Sequence, residues 1–162
     1  MCLPLKHKDT YGLAKGIYKN YEWEIVHNGH GYRCGYVRLL PDHPWYEKLN
    51  TSCADIGLYV SVHGGITFAE YGTPCPTHGP KAEWWVGFDC AHLGDRQDFS
   101  LPFDESHEKS RKILLAYDAY KGYTIKDTAY VEAECKRLRF RLGSFSCLIP
   151  LLKTRISNTL RV

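Results

Sequence analysis

Between His63 and Asp95 the chain gathers groups that can move protons or hold a metal: His63-Gly64-Gly65, Cys75-Pro76-Thr77-His78 and Asp89-Cys90-Ala91-His92-Leu93-Gly94-Asp95. A histidine and an aspartate can share a proton so that one activates water while the other orients it, and two histidines with an aspartate can hold a divalent cation. His63, Asp89 and His92 are therefore the candidate catalytic residues. His63 or His92 would be the general base, and Asp89 would orient it or hold a metal. Gly64 and Gly65 would let a phosphate or carbonyl group approach the main chain. The competing explanation is a structural histidine and a turn-capping aspartate, each hydrogen-bonded at a strand end.

A second set overlaps the first. Cys75, His78, Cys90 and His92 are of the types that tetrahedral zinc prefers, in two pairs separated by eleven residues. The Cys90-x-His92 spacing shares a face only if extended, so free buried thiols are the alternative. Trp85 leaves its strand on the same side as Asp89 and is the ligand-facing member of the Trp84-Trp85 pair. Tyr59 and Arg33 complete the candidate ligand-binding set with Gly64, Gly65 and Trp85. Aromatic residues of this kind, Trp45 included, can stack on a nucleobase. His27-Asn28-Gly29-His30 reads as a hairpin turn rather than a ligand pair. There is no P-loop, no G-x-G-x-x-G, no G-x-S-x-G elbow and no H-E-x-x-H helix. P-loop ATP hydrolysis, dinucleotide redox chemistry and serine-hydrolase chemistry are thereby disfavoured.

Alternating strands would position these groups. Tyr21 to Val26 sets Tyr21, Trp23 and Ile25 against Glu22 and Glu24, the period of a half-buried strand. Asn28 to Gly31 supplies the turn, and Tyr32 to Leu40 returns as the hairpin partner. Pro41 to Asp55 is a loop. Ile56 to Val62 alternates again, with Gly64-Gly65 as a bulge before the strand resumes at Ile66 to Phe68. Gly72 to Pro80 is a second loop, and Trp84 to Asp89 a further strand. Beyond Ser106 the period changes. Ile113, Tyr117 and Tyr120 fit a short helix ended near Gly122. Val131, Cys135, Leu138 and Leu142 fit a longer one, started by Thr124 with Asp127 and stopped at Gly143. The expected fold is α+β: four to five antiparallel strands packed by one long C-terminal helix and a second, short helix. The whole chain, 1–162, reads as one domain with a core over about 18–142 and a tail at 143–162.

With 162 residues the chain can bury a core without help from a metal or disulfides. Its seven cysteines, an odd number, read as free thiols or ligands. No apolar run approaches the roughly 20 residues of a membrane-spanning helix, and the N-terminus lacks a signal-peptide pattern. A cytoplasmic protein that does not act at a membrane is expected. The net charge of +3 conceals an acidic stretch at 80–108 followed by a basic excess. That excess sits on no nucleic-acid-reading motif, so sequence-specific nucleic-acid binding is not expected.

Several motifs are similar to those of a family of small uncharacterised proteins encoded mostly by phages and prophages. They are Tyr21-Glu22-Trp23-Glu24, Gly31 to Val37, His43-Pro44-Trp45-Tyr46, Val62-His63-Gly64-Gly65-Ile66-Thr67-Phe68 and Trp84 to His92, with the helix bearing Tyr130-Val131, Glu134-Cys135 and Leu138. The chain departs from that pattern in its 96–124 connection and its tail. The resemblance implies a phage accessory protein, of a kind that often acts against host defence, in the host cytosol. The expected function is binding, with or without hydrolysis of a phosphodiesterase-like kind, of a small phosphorylated or nucleotide-derived ligand. Zinc or another divalent metal is the candidate cofactor. The alternative is inhibition of a host protein through an aromatic and basic surface.

Overall fold

The computed structural model describes residues 11–43, 45–47, 61–72, 83–102, 112 and 121–144. Five strands, β1 (Tyr11–Tyr18), β2 (Tyr21–His27), β3 (Arg33–Leu39), β4 (Phe68–Tyr71) and β5 (Trp84–Asp89), form an antiparallel sheet in the order β1-β2-β3-β5-β4. The α+β class and antiparallel sheet expected from the alternation are present. Strand β1 was not foreseen. Its Tyr-Gly-Leu-Ala-Lys-Gly-Ile-Tyr has no period of two, and Lys19 and Asn20 turn it into β2 with both φ angles positive (49° and 71°), the conformation that matches strand twist in a two-residue hairpin. Gly16 is required by packing: a Cβ there would lie 2.6 Å from the Trp23 indole.

The 28–32 turn follows the Asn-Gly reading. Asn28 Oδ1 accepts from the His30 and Tyr32 amides, and Gly29 and Gly31 take φ of 74° and 81°. His27 is buried, and its Nδ1 accepts the Gly29 amide, so it serves the turn.

One face of the sheet presents Trp23, Ile25, Val37, Leu39, Trp84, Val86 and Phe88 to α1 (Thr128–Ser144), which returns Val131, Cys135 and Leu138. These three helix residues follow the expected i, i+4, i+7 spacing, and each buried aliphatic side chain contributes about 1.5–3 kcal/mol. Gly35 lets the helix close on β3, because a Cβ there would meet the Cys135 sulfur at 2.7 Å and the Phe88 ring at 2.6 Å. Asp127 alone starts the helix, its Oδ1 accepting the Tyr130 amide at 2.8 Å, while Thr124 lies in a short strand before it. At 17 residues α1 is shorter than the long C-terminal helix expected, and Gly143 lies inside its last turn. The short helix expected over 113–120 lies outside the described residues. No described helix is long and apolar enough to cross a membrane.

The opposite face buries Val26, Cys34 and Trp85, with Tyr36 and Phe68 packed against them and edge to face with each other. Val62 to Gly65 is a turn rather than a bulged strand: the Gly65 amide donates to the Val62 carbonyl at 3.0 Å, with Gly64 at φ 64° and Gly65 at φ 86°. Strand β4 begins only at Phe68, so Ile66 and Thr67, expected in the resumed strand, lie outside it; residues 56–60 lie outside the described set. A parallel pair, β6 (Asp95–Arg96) with β7 (Thr124–Ile125), ties the turn after β5 to the approach to α1.

Candidate functional site

Two turns and the first turns of α1 meet at one corner of the sheet. The Val62–Gly65 turn supplies His63. The turn after β5 supplies His92 and Asp95, closed by the Asp95 amide donating to the His92 carbonyl at 2.9 Å. Helix α1 supplies Tyr130 and Glu134, four residues apart and therefore on one helical face. Both hold His63. Glu134 Oε2 accepts its backbone amide at 3.1 Å, and the Tyr130 hydroxyl lies 3.0 Å from Nδ1.

Asp95 is the hub. Only 3% exposed, it accepts from His63 Nε2 at 2.7 Å and from the His92 amide at 3.0 Å through the same oxygen, Oδ2. Its Oδ1 lies 3.7 Å from Lys126 Nζ. Because an ionised carboxylate only accepts, Nε2 carries the proton of the His63–Asp95 hydrogen bond, and in the neutral imidazole Nδ1 then accepts the Tyr130 O–H.

His92 completes the cluster. Its ring centroid is 5.5 Å from that of His63, at a steep angle. Its Nδ1 lies 3.7 Å from Asp95 Oδ2 and 3.8 Å from Asp89 Oδ1, and makes no hydrogen bond although the atom is buried. The ring rests on Gly64, where a Cβ would stand 2.0 Å from Cε1. Ligand atoms of His63, His92 and Asp95 all lie within 4.8 Å of one another. With its side chain 35% exposed, His92 forms the solvent-facing rim of the cluster together with Tyr130. Burial, then the carboxylate of Glu134 and the thiol of Cys90, pushes the Tyr130 hydroxyl above its ordinary pKa.

Of the candidate catalytic residues, the structure brings His63 and His92 together and sets Asp95, not Asp89, on His63. Asp89 accepts the Ala91 amide at 3.0 Å and so caps the turn that carries His92. Arg33 is committed elsewhere: Nη2 pairs with Asp98 at 2.7 Å, Nε donates to Thr128 Oγ1 at 3.1 Å and Nη1 to the Lys126 carbonyl at 3.2 Å. That places it as a brace between β3, the 95–98 segment and the start of α1. Trp85, 2% exposed, lies in the apolar cluster of the far face, away from α1. Gly64 seats the His92 ring, whereas a Cβ on Gly65 would point into open space.

Cys90 is a free thiol within the apolar core, its pKa raised chiefly by burial and then by Asp95. It is not among the grouped metal-capable residues. Tyr59, Cys75 and His78 lie outside the described residues. Sequence reasoning set Asp95 in the right stretch without a role, and missed Lys126, Tyr130 and Glu134. The available signal was the i, i+4 spacing of Tyr130 and Glu134 beside the apolar stripe of α1. No protein-family model, curated protein or solved structure matches the chain.

Proposed function

We propose that the protein binds a small phosphorylated, nucleotide-like ligand at the His63–His92–Asp95 corner and hydrolyses it. The observation that carries the reading is the convergence of two imidazoles and a buried carboxylate within 4.8 Å at a rim where His92 and Tyr130 reach solvent. Buried polar groups so arranged are expensive to assemble without use, and such clusters are where proton transfer and phosphate chemistry are found. Gly65 leaves open space beside them on the side where a Cβ would stand. In the reaction, water adds to phosphorus, the ester P–O bond breaks, and the proton lost by water ends on the departing oxygen.

The residues divide the work. Asp95, Tyr130 and Glu134 hold the His63 ring and backbone, so His63 needs no reorganisation when a ligand arrives. His92 is the group nearest solvent with an uncommitted nitrogen. Asp89 and Asp95 place two carboxylates here against the ammonium of Lys126, so a phosphate requires further positive charge at the site. The similarity to phage-encoded proteins extends the proposal to an accessory role in an infected cell, where the ligand would be a nucleotide-derived signal.

A thermal-shift screen against a panel of mono-, di- and cyclic nucleotides tests the binding half. One or more members should raise the unfolding temperature of the wild type, with the shift reduced in His92→Ala. A panel that leaves the transition unmoved would remove the reading.

A further inference from the structure

We propose that His63, His92 and Asp95 form a three-ligand site for a divalent transition metal of the zinc class, with the remaining coordination position open to solvent. The ligands are Nε2 of His63, Nδ1 of His92 and Oδ2 of Asp95. This site shares only His92 with the Cys75, His78, Cys90, His92 set that residue types alone bring to mind.

Four observations carry it. First, the spacing is near what a metal needs. Nitrogen and oxygen ligands about 2.0–2.1 Å from a tetrahedral ion stand about 3.3 Å from each other. Here the Asp95 oxygen is 2.7 Å from His63 Nε2 and 3.7 Å from His92 Nδ1, one closer and one farther than that edge. The ligand atoms all lie within 4.8 Å of one another, so the ion draws the two rings together; the His63 proton passes from Nε2 to Nδ1, which then donates to the Tyr130 oxygen, as the metal takes its place.

Second, His92 Nδ1 is a buried nitrogen with no hydrogen bond, poised beside two carboxylates. A buried polar atom left unpaired in this way costs free energy, and a metal would satisfy it. Third, the outer supports are those that metal-ligating groups use. His63 has Tyr130 on its other nitrogen, and Asp95 has the His92 amide on Oδ2 and Lys126 near Oδ1. Fourth, Gly64 keeps the space beside the His92 ring clear of any Cβ.

Two imidazoles and one carboxylate, with no thiolate, form the donor set of catalytic rather than structural zinc, which keeps a position for water or substrate. A cation there supplies the positive charge that the two neighbouring carboxylates otherwise deny to a phosphate. The inference stands on the cluster geometry and deepens the hydrolytic reading, but metal binding is measurable with no nucleotide present.

The test uses the full chain, stripped with chelator and titrated calorimetrically with zinc chloride, then with cobalt(II) followed by its visible absorption. One ion per chain is expected, with at least tenfold weaker binding in His92→Ala and in Asp95→Asn and unchanged binding in a Cys75→Ser/His78→Ala double variant. His92→Ala removes a partly exposed ring and keeps the test open if Asp95→Asn fails to fold, as judged by circular dichroism. Absence of stoichiometric binding, or binding that survives His92→Ala and is lost in the Cys75/His78 variant, would overturn the site. Metal binding without turnover of any nucleotide would leave this site standing and remove the hydrolytic reading.

Discussion

His63 Nε2 lies 2.7 Å from Oδ2 of Asp95, a carboxylate that is 3% exposed and accepts the His92 amide with the same oxygen. Two histidines 29 positions apart in the chain are thus held by one side chain. Asn at position 95 would keep the shape but replace a charged acceptor shared by two donors with a neutral amide, and would leave Lys126 without its anion. We expect Asp95→Asn to cost about 1–3 kcal/mol, read as a lowered urea midpoint with an unchanged slope. An unchanged midpoint would show that Asp95 does not anchor the two turns.

Gly64 and Gly65 give a paired comparison. Both have positive φ, so an alanine at either meets a backbone cost of about 1–2 kcal/mol. Only at Gly64 would the new methyl collide with the His92 ring, at 2.0 Å, whereas Gly65 has nothing within 4 Å. Gly64→Ala should therefore shift the His92 imidazole resonances and destabilise the fold by more than Gly65→Ala does. Equal destabilisation, with His92 undisturbed in both variants, would contradict the contact.

Burial, with Arg33 adding to it, holds His27 below its ordinary pKa of 6.5. The unfolded chain consequently takes up a proton that the folded chain refuses. Stability from this group is full above about pH 6.5 and falls as the pH drops below it. Urea unfolding at pH 7.5 and 5.5 should show a loss of stability that is smaller in His27→Gln. The same pH dependence in the variant would assign the effect to other residues.

Burial pushes the thiols of Cys34 and Cys135 up to about 12, and raises Cys90 as well. Thiolate is the reactive form, so these three should resist iodoacetamide at pH 8 in the folded protein and label fully in denaturant. Peptide-resolved mass spectrometry distinguishes them from the other four cysteines of the chain. Labelling of Cys90 in the folded state would place it at a surface rather than in the core.

Much of the sheet was legible because β2 and β5 alternate with a period of two, and the turn glycines at 29 and 31 mark β3 as the hairpin partner. Strand β1 was not, since Gly12 and Gly16 interrupt its pattern and the reason for Gly16 is a tryptophan on the neighbouring strand. The site divides in the same way. His63 and His92 were evident from their types and from the glycines and turn around them. The carboxylate that serves them could not be chosen, since Asp89 and Asp95 are equally near His92 in sequence and only the turn geometry gives the first a backbone amide and the second His63. Tyr130 and Glu134 reach His63 across more than sixty residues of chain, a pairing that local pattern does not encode. Arg33 and Trp85 show the converse: their types suit a ligand, but one is taken up in a three-way brace and the other in apolar packing.

The most direct measurement is the rate of product formation from a nucleotide that stabilises the wild-type protein, followed by chromatography and mass spectrometry of the reaction mixture before and after denaturation. The expected result is new product from the wild type and at least a hundredfold lower rates in His92→Ala and Asp95→Asn, each shown to be folded. Intact ligand released on denaturation with no product, or variants that turn over at the wild-type rate, would contradict hydrolysis at this corner.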